Sequence, residues 1–382
     1  MNVLFVLYHD FTSNSAFQVH CLANELVKLG YVCSVAVPGN KESVARIGSA
    51  PRYSPILFSE VNPNLPDVVH CWTPREIVRQ FHERVFGARS KARLVVHLED
   101  NERHLAETSL GQRWSRLETL PMDVLDRMVP PFLSHPVKAR QFLDQACGGT
   151  VIVSKLAEFL PESMPWVEIW PSADEAVFGP SHPIDWSRRE RLGIPRETTV
   201  IVYTGNVHLS NESEVLSLYL AVALLNRRGF PAKLVRAGTN YCPFLEDAEW
   251  DWRSNSIELG QVDHVEIADV MSMADIFVQP GRPGAFNDYR FPSKVPEFCA
   301  IGRPVILPAS NVGLSMRHGE DAYVLPAATG SAIADAVREI RSDAVLEKRL
   351  AQGARRFFEE RLQWGASAAK LGEFYRRVNA FG

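Results

Sequence analysis

The sequence predicts an α/β protein built from two Rossmann-like, doubly wound domains facing a central cleft. Three observations carry that expectation. Short apolar runs alternate with amphipathic helical stretches along most of the 382 residues. The runs are apolar at successive positions, as in parallel strands covered by helices on both faces. The alternation occurs twice, on either side of a stretch at about 171–198 punctuated by Pro171, Pro180, Pro183 and Pro195.

The first unit opens on an apolar run at 2–8, read as a buried strand. A helix follows at about 15–29, with Val19, Leu22, Ala23, Leu26 and Leu29 as its apolar stripe and Gly30 as its stop. Strands are expected at 32–37, 67–70, 94–97, 150–153 and 167–170. Residues 100–145 are less regular and read as an insertion shaping a binding face. In the second unit, strands are expected at 200–203, 233–236, 276–278 and 305–307. A helix at about 212–228 takes Leu216, Leu220, Ala223 and Leu224 as core positions, and helices at about 331–341, 343–360 and 365–378 close the chain. Strand–helix alternation implies right-handed crossovers, and ligands of such sheets bind outside the carboxyl ends of the strands.

Composition narrows the function classes. Hydrophobic residues make up 46% and charged residues 23%, which excludes a mainly disordered chain. The formal net charge of −4 argues against a nucleic-acid partner, whose footprint is a basic domain. Six cysteines without a Cys-x-x-Cys pair read as free thiols of a reducing compartment, and no zinc-ligand spacing is present. No run approaches the roughly 20 apolar residues of a membrane span. The expectation is a cytoplasmic protein without a transmembrane segment, with peripheral membrane contact left open. No metal site is expected.

The densest chemical motif is Pro280 to Phe298. A buried strand ends at Val278, a Gly- and Pro-rich loop follows, and Ser293 stands at a helix N-cap, with Pro296 in the first turn. Free amides at Ser293 and Lys294 and the helix dipole favour a phosphate there. Lys294, Arg290 and Arg282 add charge. Glu297 lies about 6 Å further along the same helix face, where its carboxylate can accept both hydroxyls of a ribose. An ordinary capped helix with solvated Lys and Glu is the plain alternative.

The run from Pro292 to Ile306 resembles the donor-site signature of retaining family-4 glycosyltransferases, glycosyl transferases group 1, with the GT-B fold. Asp275 to Pro280, Val202 to Asn206, Trp170 to Phe178 and Leu29 to Pro38 extend the resemblance over nearly the whole chain, with 275–306 its specific part. The resemblance implies a nucleotide-diphosphate sugar as co-substrate, UDP- or GDP-linked, with no further cofactor required. It implies a hydroxyl acceptor: a glycan, a lipid-linked sugar or a small metabolite. It places the acceptor on an N-terminal domain of residues 1–175 and the donor on a C-terminal domain of residues 176–361. Residues 362–382 would pack back on the first domain.

Site residues follow from the same resemblance. Lys294 and Glu297 match the donor motif, with Glu297 as the second glutamate of Glu-x7-Glu. Tyr289 stands where the first glutamate would be, leaving Asp288 and Asn287 as the polar side chains near the sugar. Gly205, Asn206, Arg236, Tyr289, Arg290, Phe291 and Ser293 complete the donor set. Val207-His208-Leu209-Ser210-Asn211 lacks the Arg and Lys that the family places there. His97, at a strand's carboxyl end, is assigned to the reacting sugar and, with Lys294 and Glu297, to catalysis. Ser13, Asn14, Ser15 and Glu99 form the N-domain side, with His70, Trp72, Arg75 and Asp100 nearby. The two departures keep alive a non-catalytic sugar-nucleotide-binding subunit and a GT-B-like sugar-nucleotide epimerase. A nicotinamide dehydrogenase is disfavoured, because no Gly-x-Gly-x-x-Gly follows a predicted strand.

Overall fold

Val3 to Val6 are buried on both sides, and a strand of that kind needs helices on both faces of its sheet. The computed structural model describes residues 1–87, 90–174, 177–178, 183–245, 250–263 and 266–380. The chain divides into two compact units. The first holds residues 1–171, 289–291 and 364–382, and the second holds 172–288 and 292–363. The boundary expected between 175 and 176 lies outside the described residues.

In the first unit, the described strands are β1 (Asn2–Val6), β2 (Val32–Val37), β3 (Ser54–Leu57), β4 (Val68–Trp72), β5 (Arg93–Leu98), β6 (Gly148–Val151) and β7 (Trp166–Glu168). They form one parallel sheet in the order β3-β2-β1-β4-β5-β6-β7. In register, Val3 sits between Cys33 of β2 and Val68 of β4. The helices are α1 (Asn14–Lys28), α2 (Glu76–Val85), α3 (Glu102–Leu110), α4 (Trp114–Leu117), α5 (Met122–Met128) and α6 (Lys138–Asp144). The helical stretches expected within the less regular residues 100–145 are the short α3 to α6. Ala106, Leu117, Leu125 and Leu133 give this region a small core of its own.

In the second unit come α7 (Trp186–Arg191), β8 (Thr199–Thr204), α8 (Glu212–Arg227), β9 (Ala232–Ala237), β10 (Ser256–Gly260), α9 (Ile267–Met271), β11 (Ile276–Val278), α10 (Lys294–Ile301), β12 (Val305–Pro308), β13 (Tyr323–Leu325), α11 (Gly330–Ser342) and α12 (Ala344–Arg361). The parallel sheet runs β10-β9-β8-β11-β12-β13. The chain's last helix, α13 (Trp364–Ala380), belongs to the first unit. Its Leu371, Phe374 and Tyr375 are buried in that unit's core with Leu22 and Leu26 of α1. Close approach is possible because β6 offers glycine: a Cβ on Gly148 would come within 2.6 Å of the Phe374 ring. Tyr31 fastens the same helix by donating to the Gly372 carbonyl at 2.9 Å.

Two packing expectations are corrected. In α8 the buried face is Val215, Leu218, Tyr219, Val222 and Leu225, and Leu220 is 40% exposed. Residues 215–225 are apolar nearly all round, so the sequence offers two rival stripes and the tertiary context selects one. Leu29 leaves the α1 stripe because it is the C-cap, where the chain turns out to solvent at 52% exposure. Among the described residues, no helix is long and apolar enough to cross a membrane.

Each sheet reverses its winding once, between β1 and β4 in the first unit and between β8 and β11 in the second. Crevices beyond the strand ends at such points are where doubly wound sheets hold ligands.

Candidate functional site

At the second unit's reversal, β8 ends in Tyr203 and Thr204 and the chain turns through Gly205 and Asn206. The turn is pressed against the one after β9. A Cβ on Gly238, whose φ is +142°, would lie 2.2 Å from the Gly205 carbonyl oxygen, so only glycine fits. Asn206 locks the pair by accepting the Thr239 amide at 2.8 Å. On its other side, Gly205 leaves room for Lys294. A Cβ there would meet the lysine Cε at 3.0 Å and Nζ at 3.2 Å. The ammonium also lies 4.8 Å from the centre of the Tyr203 ring, within range of a cation–π contact.

Lys294 is the first residue of α10, and Pro296 is tolerated in the first turn, where an amide would have no helical partner. The Phe298 ring stacks on Phe277 of β11 at 4.5 Å and anchors the helix to the sheet. Ser293 occupies the N-cap but makes no side-chain capping bond, which leaves the first amides without that acceptor. Glu297 is half-buried on the next turn. Burial pushes its carboxyl up to about 7, against the pull of Lys294. No described side chain pairs with Lys294 as a carboxylate within ion-pair distance. Thr204 Oγ1 is buried without a partner among the described residues.

The structure gathers Gly205, Asn206, Arg236, Lys294 and Glu297 at this reversal. Arg236 is already committed: it donates to Glu258 at 2.7 Å, to Asn240 at 2.7 Å and to the Gly205 carbonyl at 3.4 Å. Asn287 is buried and donates to Glu214 and to the Arg282 carbonyl. Arg282 is exposed, and Asp288 follows Asn287 in a short 3-10 turn. His208 packs edge-on against Phe286. Tyr289, Arg290 and Phe291 group with the first unit. There Tyr289 donates to Glu158 at 2.7 Å, and Phe291 packs on Trp170.

At the first unit's reversal, Ser13 caps α1 by accepting the Ala16 amide at 3.2 Å, and Asn14 is exposed. Ser15 turns inward and donates to Glu99 at 2.6 Å. Trp72, at the end of β4, donates to the same carboxylate at 3.0 Å. Burial, followed by the charge of Asp100, raises the Glu99 carboxyl to about 7, while Arg75 pulls it down. Arg75 lies over the Tyr8 ring at 4.3 Å and donates to Glu102 at 3.1 Å. Thr73 holds φ at +87°, a costly angle for a β-branched residue, and its amide donates to the His97 carbonyl.

His97 is fully buried and stacks on Trp72 with ring centres 3.8 Å apart. Its Nδ1 bonds the Thr150 hydroxyl at 2.8 Å. Its Nε2 has no partner among the described residues. Burial, and then His70, hold its pKa well below the usual histidine value. Thr150, Tyr8 and Gly238 were not singled out by sequence reasoning. A polar threonine in a strand otherwise expected to be apolar was the one available signal.

Comparison with known proteins bears on the second unit first. Residues 198–343 match the family model described as Glycosyl transferases group 1. Apart from residues 289–291, the match lies within the second unit, and that unit's flanking residues are left unmatched. All of β8 to β12 fall inside the match, and with them Gly205, Arg236, Lys294 and Glu297. A phosphatidyl-myo-inositol mannosyltransferase of Mycobacterium leprae is 32% identical over 128 residues. That stretch is 32% of this chain and 32% of the relative, so the chain matches about a third of that curated protein's length. Among solved structures, Anabaena Alr3699/HepE in complex with UDP and glucose superposes at TM-score 0.70 with 13% identity, covering 98% of this chain and 99% of that one. Sucrose-phosphate synthase from Thermosynechococcus elongatus also gives 0.70 at 13% identity, covering 100% of both chains. The fold is therefore the expected GT-B type, with a parallel, doubly wound sheet in each unit.

Proposed function

We propose that this protein is a retaining glycosyltransferase that moves a hexosyl group from a UDP- or GDP-linked donor to a hydroxyl acceptor. The observation that carries the reading is Lys294, seated against Gly205 at the start of a helix whose next turn bears Glu297, inside the residues that match the group 1 model. The second unit takes the nucleotide sugar. The diphosphate meets Lys294 and the first amides of α10, and Glu297 accepts donor hydroxyls. The first unit takes the acceptor near Ser15 and Glu99, and His97 is assigned to the reacting sugar. Arg236 supports the Gly205 turn from behind.

The bond from the sugar's anomeric carbon to the diphosphate oxygen breaks through an oxocarbenium-like state. The acceptor oxygen bonds to that carbon on the same face, and its proton leaves with the diphosphate. Charge grows on the departing oxygens, where a fixed ammonium and helix amides stabilise it most.

The test is a thermal-shift panel of UDP- and GDP-hexoses, followed by transfer assays on the donors that bind. A donor at 100 times its dissociation constant adds about 2.7 kcal/mol of stability. Binding with no transfer to any hydroxyl acceptor favours a sugar-nucleotide-binding subunit, the reading that Tyr289 at the first glutamate position supports. Donor conversion without acceptor favours an epimerase. No response to any nucleotide sugar overturns the proposal.

A further inference from the structure

Four buried groups in the first unit form one hydrogen-bonded chain. The Tyr375 hydroxyl of α13 lies 2.6 Å from His70 Nδ1. His70 Nε2 lies 2.9 Å from Thr150 Oγ1, and Thr150 Oγ1 lies 2.8 Å from His97 Nδ1. His97 Nε2 ends the chain without a partner among the described residues. Tyr375, His70, Thr150 and His97 are all essentially inaccessible to solvent.

Two proton arrangements use the Thr150 proton within the chain; a third, with Thr150 accepting from both rings, leaves that proton and the His97 Nε2 lone pair unmatched. In the first, Tyr375 donates to His70 Nδ1, His70 Nε2–H donates to Thr150, and Thr150 donates to His97 Nδ1. His97 then carries its proton on Nε2. In the second, every bond is reversed, and His97 Nε2 is a bare acceptor. The first leaves one buried group unmatched, the His97 Nε2–H; the second leaves two, the bare Nε2 and the phenol proton, because the Tyr375 hydroxyl has no other hydrogen-bond partner among the described residues. Burial keeps the phenol protonated, raising its pKa well above the usual value, and holds His70 near 3, so neither group escapes by changing charge.

We infer that Tyr375, His70 and Thr150 are positioning residues that fix His97 as a neutral imidazole with its proton on Nε2. His97 Nε2–H is therefore a hydrogen-bond donor, and a group that reaches it must be an accepting oxygen, such as a sugar hydroxyl or a phosphate oxygen. His97 is not poised as a base that removes the acceptor's proton. The identity of that oxygen rests on the glycosyl-transfer reading, whereas the tautomer rests on the chain alone.

The test is a long-range proton–nitrogen correlation spectrum of protein labelled with nitrogen-15 histidine, with His97 assigned by comparison with His97→Gln. Both His70 and His97 are expected with protonated Nε2 and bare Nδ1. Tyr375→Phe removes the group that breaks the symmetry of the chain, so both rings should shift toward a mixture of tautomers. Thr150→Ser should keep the native shifts, and Thr150→Val should move His97 Nδ1 away from its hydrogen-bonded value. A His97 proton on Nδ1, or shifts unmoved by Tyr375→Phe, overturns the inference. If Tyr375→Phe does not fold, the Thr150 pair decides: identical His97 shifts in Thr150→Ser and Thr150→Val overturn it. The spectrum needs no substrate, so its failure and the failure of glycosyl transfer are separate results.

Discussion

The two reversal points are built on opposite plans. In the second unit, space is made by removing side chains: Gly205 and Gly238 bring two turns into contact, and Lys294 lies in the room Gly205 leaves. Among the described residues, no hydrogen-bonding side chain is committed to its cation or to the Glu297 carboxylate, while Arg236 is tied to Glu258 and Asn240. In the first unit, space is filled by polar groups that satisfy one another. Ser15 and Trp72 hold Glu99, and Thr150 holds His97. The difference teaches where binding energy is stored. Open charge responds to a ligand, whereas a satisfied network positions a few groups and resists change.

The largest break in the comparison is expected at Gly238. Gly238→Ala puts a methyl 2.2 Å from a backbone oxygen at φ +142°. Neither the backbone contact nor the angle can relax cheaply, so the loss should reach about 4 kcal/mol or more. Urea unfolding measures it, and a loss below about 1 kcal/mol would show that the two turns are not rigidly pressed together.

Next is Lys294→Ala, which should lower kcat by about 10²–10³. Donor affinity should fall less, because leaving-group charge peaks in the transition state. Lys294→Arg should restore only part, since a planar fork does not replace a compact ammonium. Folding should change little, because Glu297 loses only the through-space pull of the ammonium and no ion pair among the described residues is broken. Unchanged kcat would move the diphosphate elsewhere.

Glu297→Gln should act in opposite directions on two measurements. Nucleotide-sugar binding should weaken by about 1.5–3 kcal/mol, as for a hydrogen bond to a charged group. Stability at pH 8 should rise by about 1 kcal/mol or more. The sign follows from the direction of the shift. The folded carboxyl, raised to about 7 from 4.5, holds its proton more tightly than the unfolded one. Ionisation therefore costs the folded state stability as pH rises between those values. Glutamine escapes that loss, so the gain should vanish near pH 4.

The sequence exposed those parts of the molecule whose cause is local. Buried central strands are continuous apolar runs, and β1, β2, β8 and β12 were legible for that reason. The strands that escaped, β3, β10 and β13, pair with one neighbour each or lie at the sheet margin. They are short, and Pro55 and Glu258 interrupt their apolar pattern. The α10 motif was legible because its loop, cap, proline and two charges are contiguous. The polar chain ending at His97 was not, because it joins positions as far apart as 70 and 375, and only folding brings them within 2.6 Å. His97 was named from its place at a strand end, but its complete burial carries no sequence signal, and Thr150 marks only a polar residue in an apolar strand.

The smallest expected effects separate the two serines of the α1 turn. Ser15→Ala removes the shortest donor to Glu99, which is 6% exposed. Loss of a donor to a buried charged group should cost about 1–3 kcal/mol at pH 8.5, where the carboxyl is ionised. The loss should shrink at pH 5.5, because the missing bond favours the charged form and Glu99 titrates near 7. Ser13→Ala removes only a cap on the Ala16 amide and should cost about 1 kcal/mol at either pH. Urea unfolding of both variants at the two pH values decides it. Equal, pH-independent losses would mean that Ser15 is a second helix cap. Glu99 would then rest on Trp72 alone, and the first unit's site would be less fully satisfied than its geometry implies.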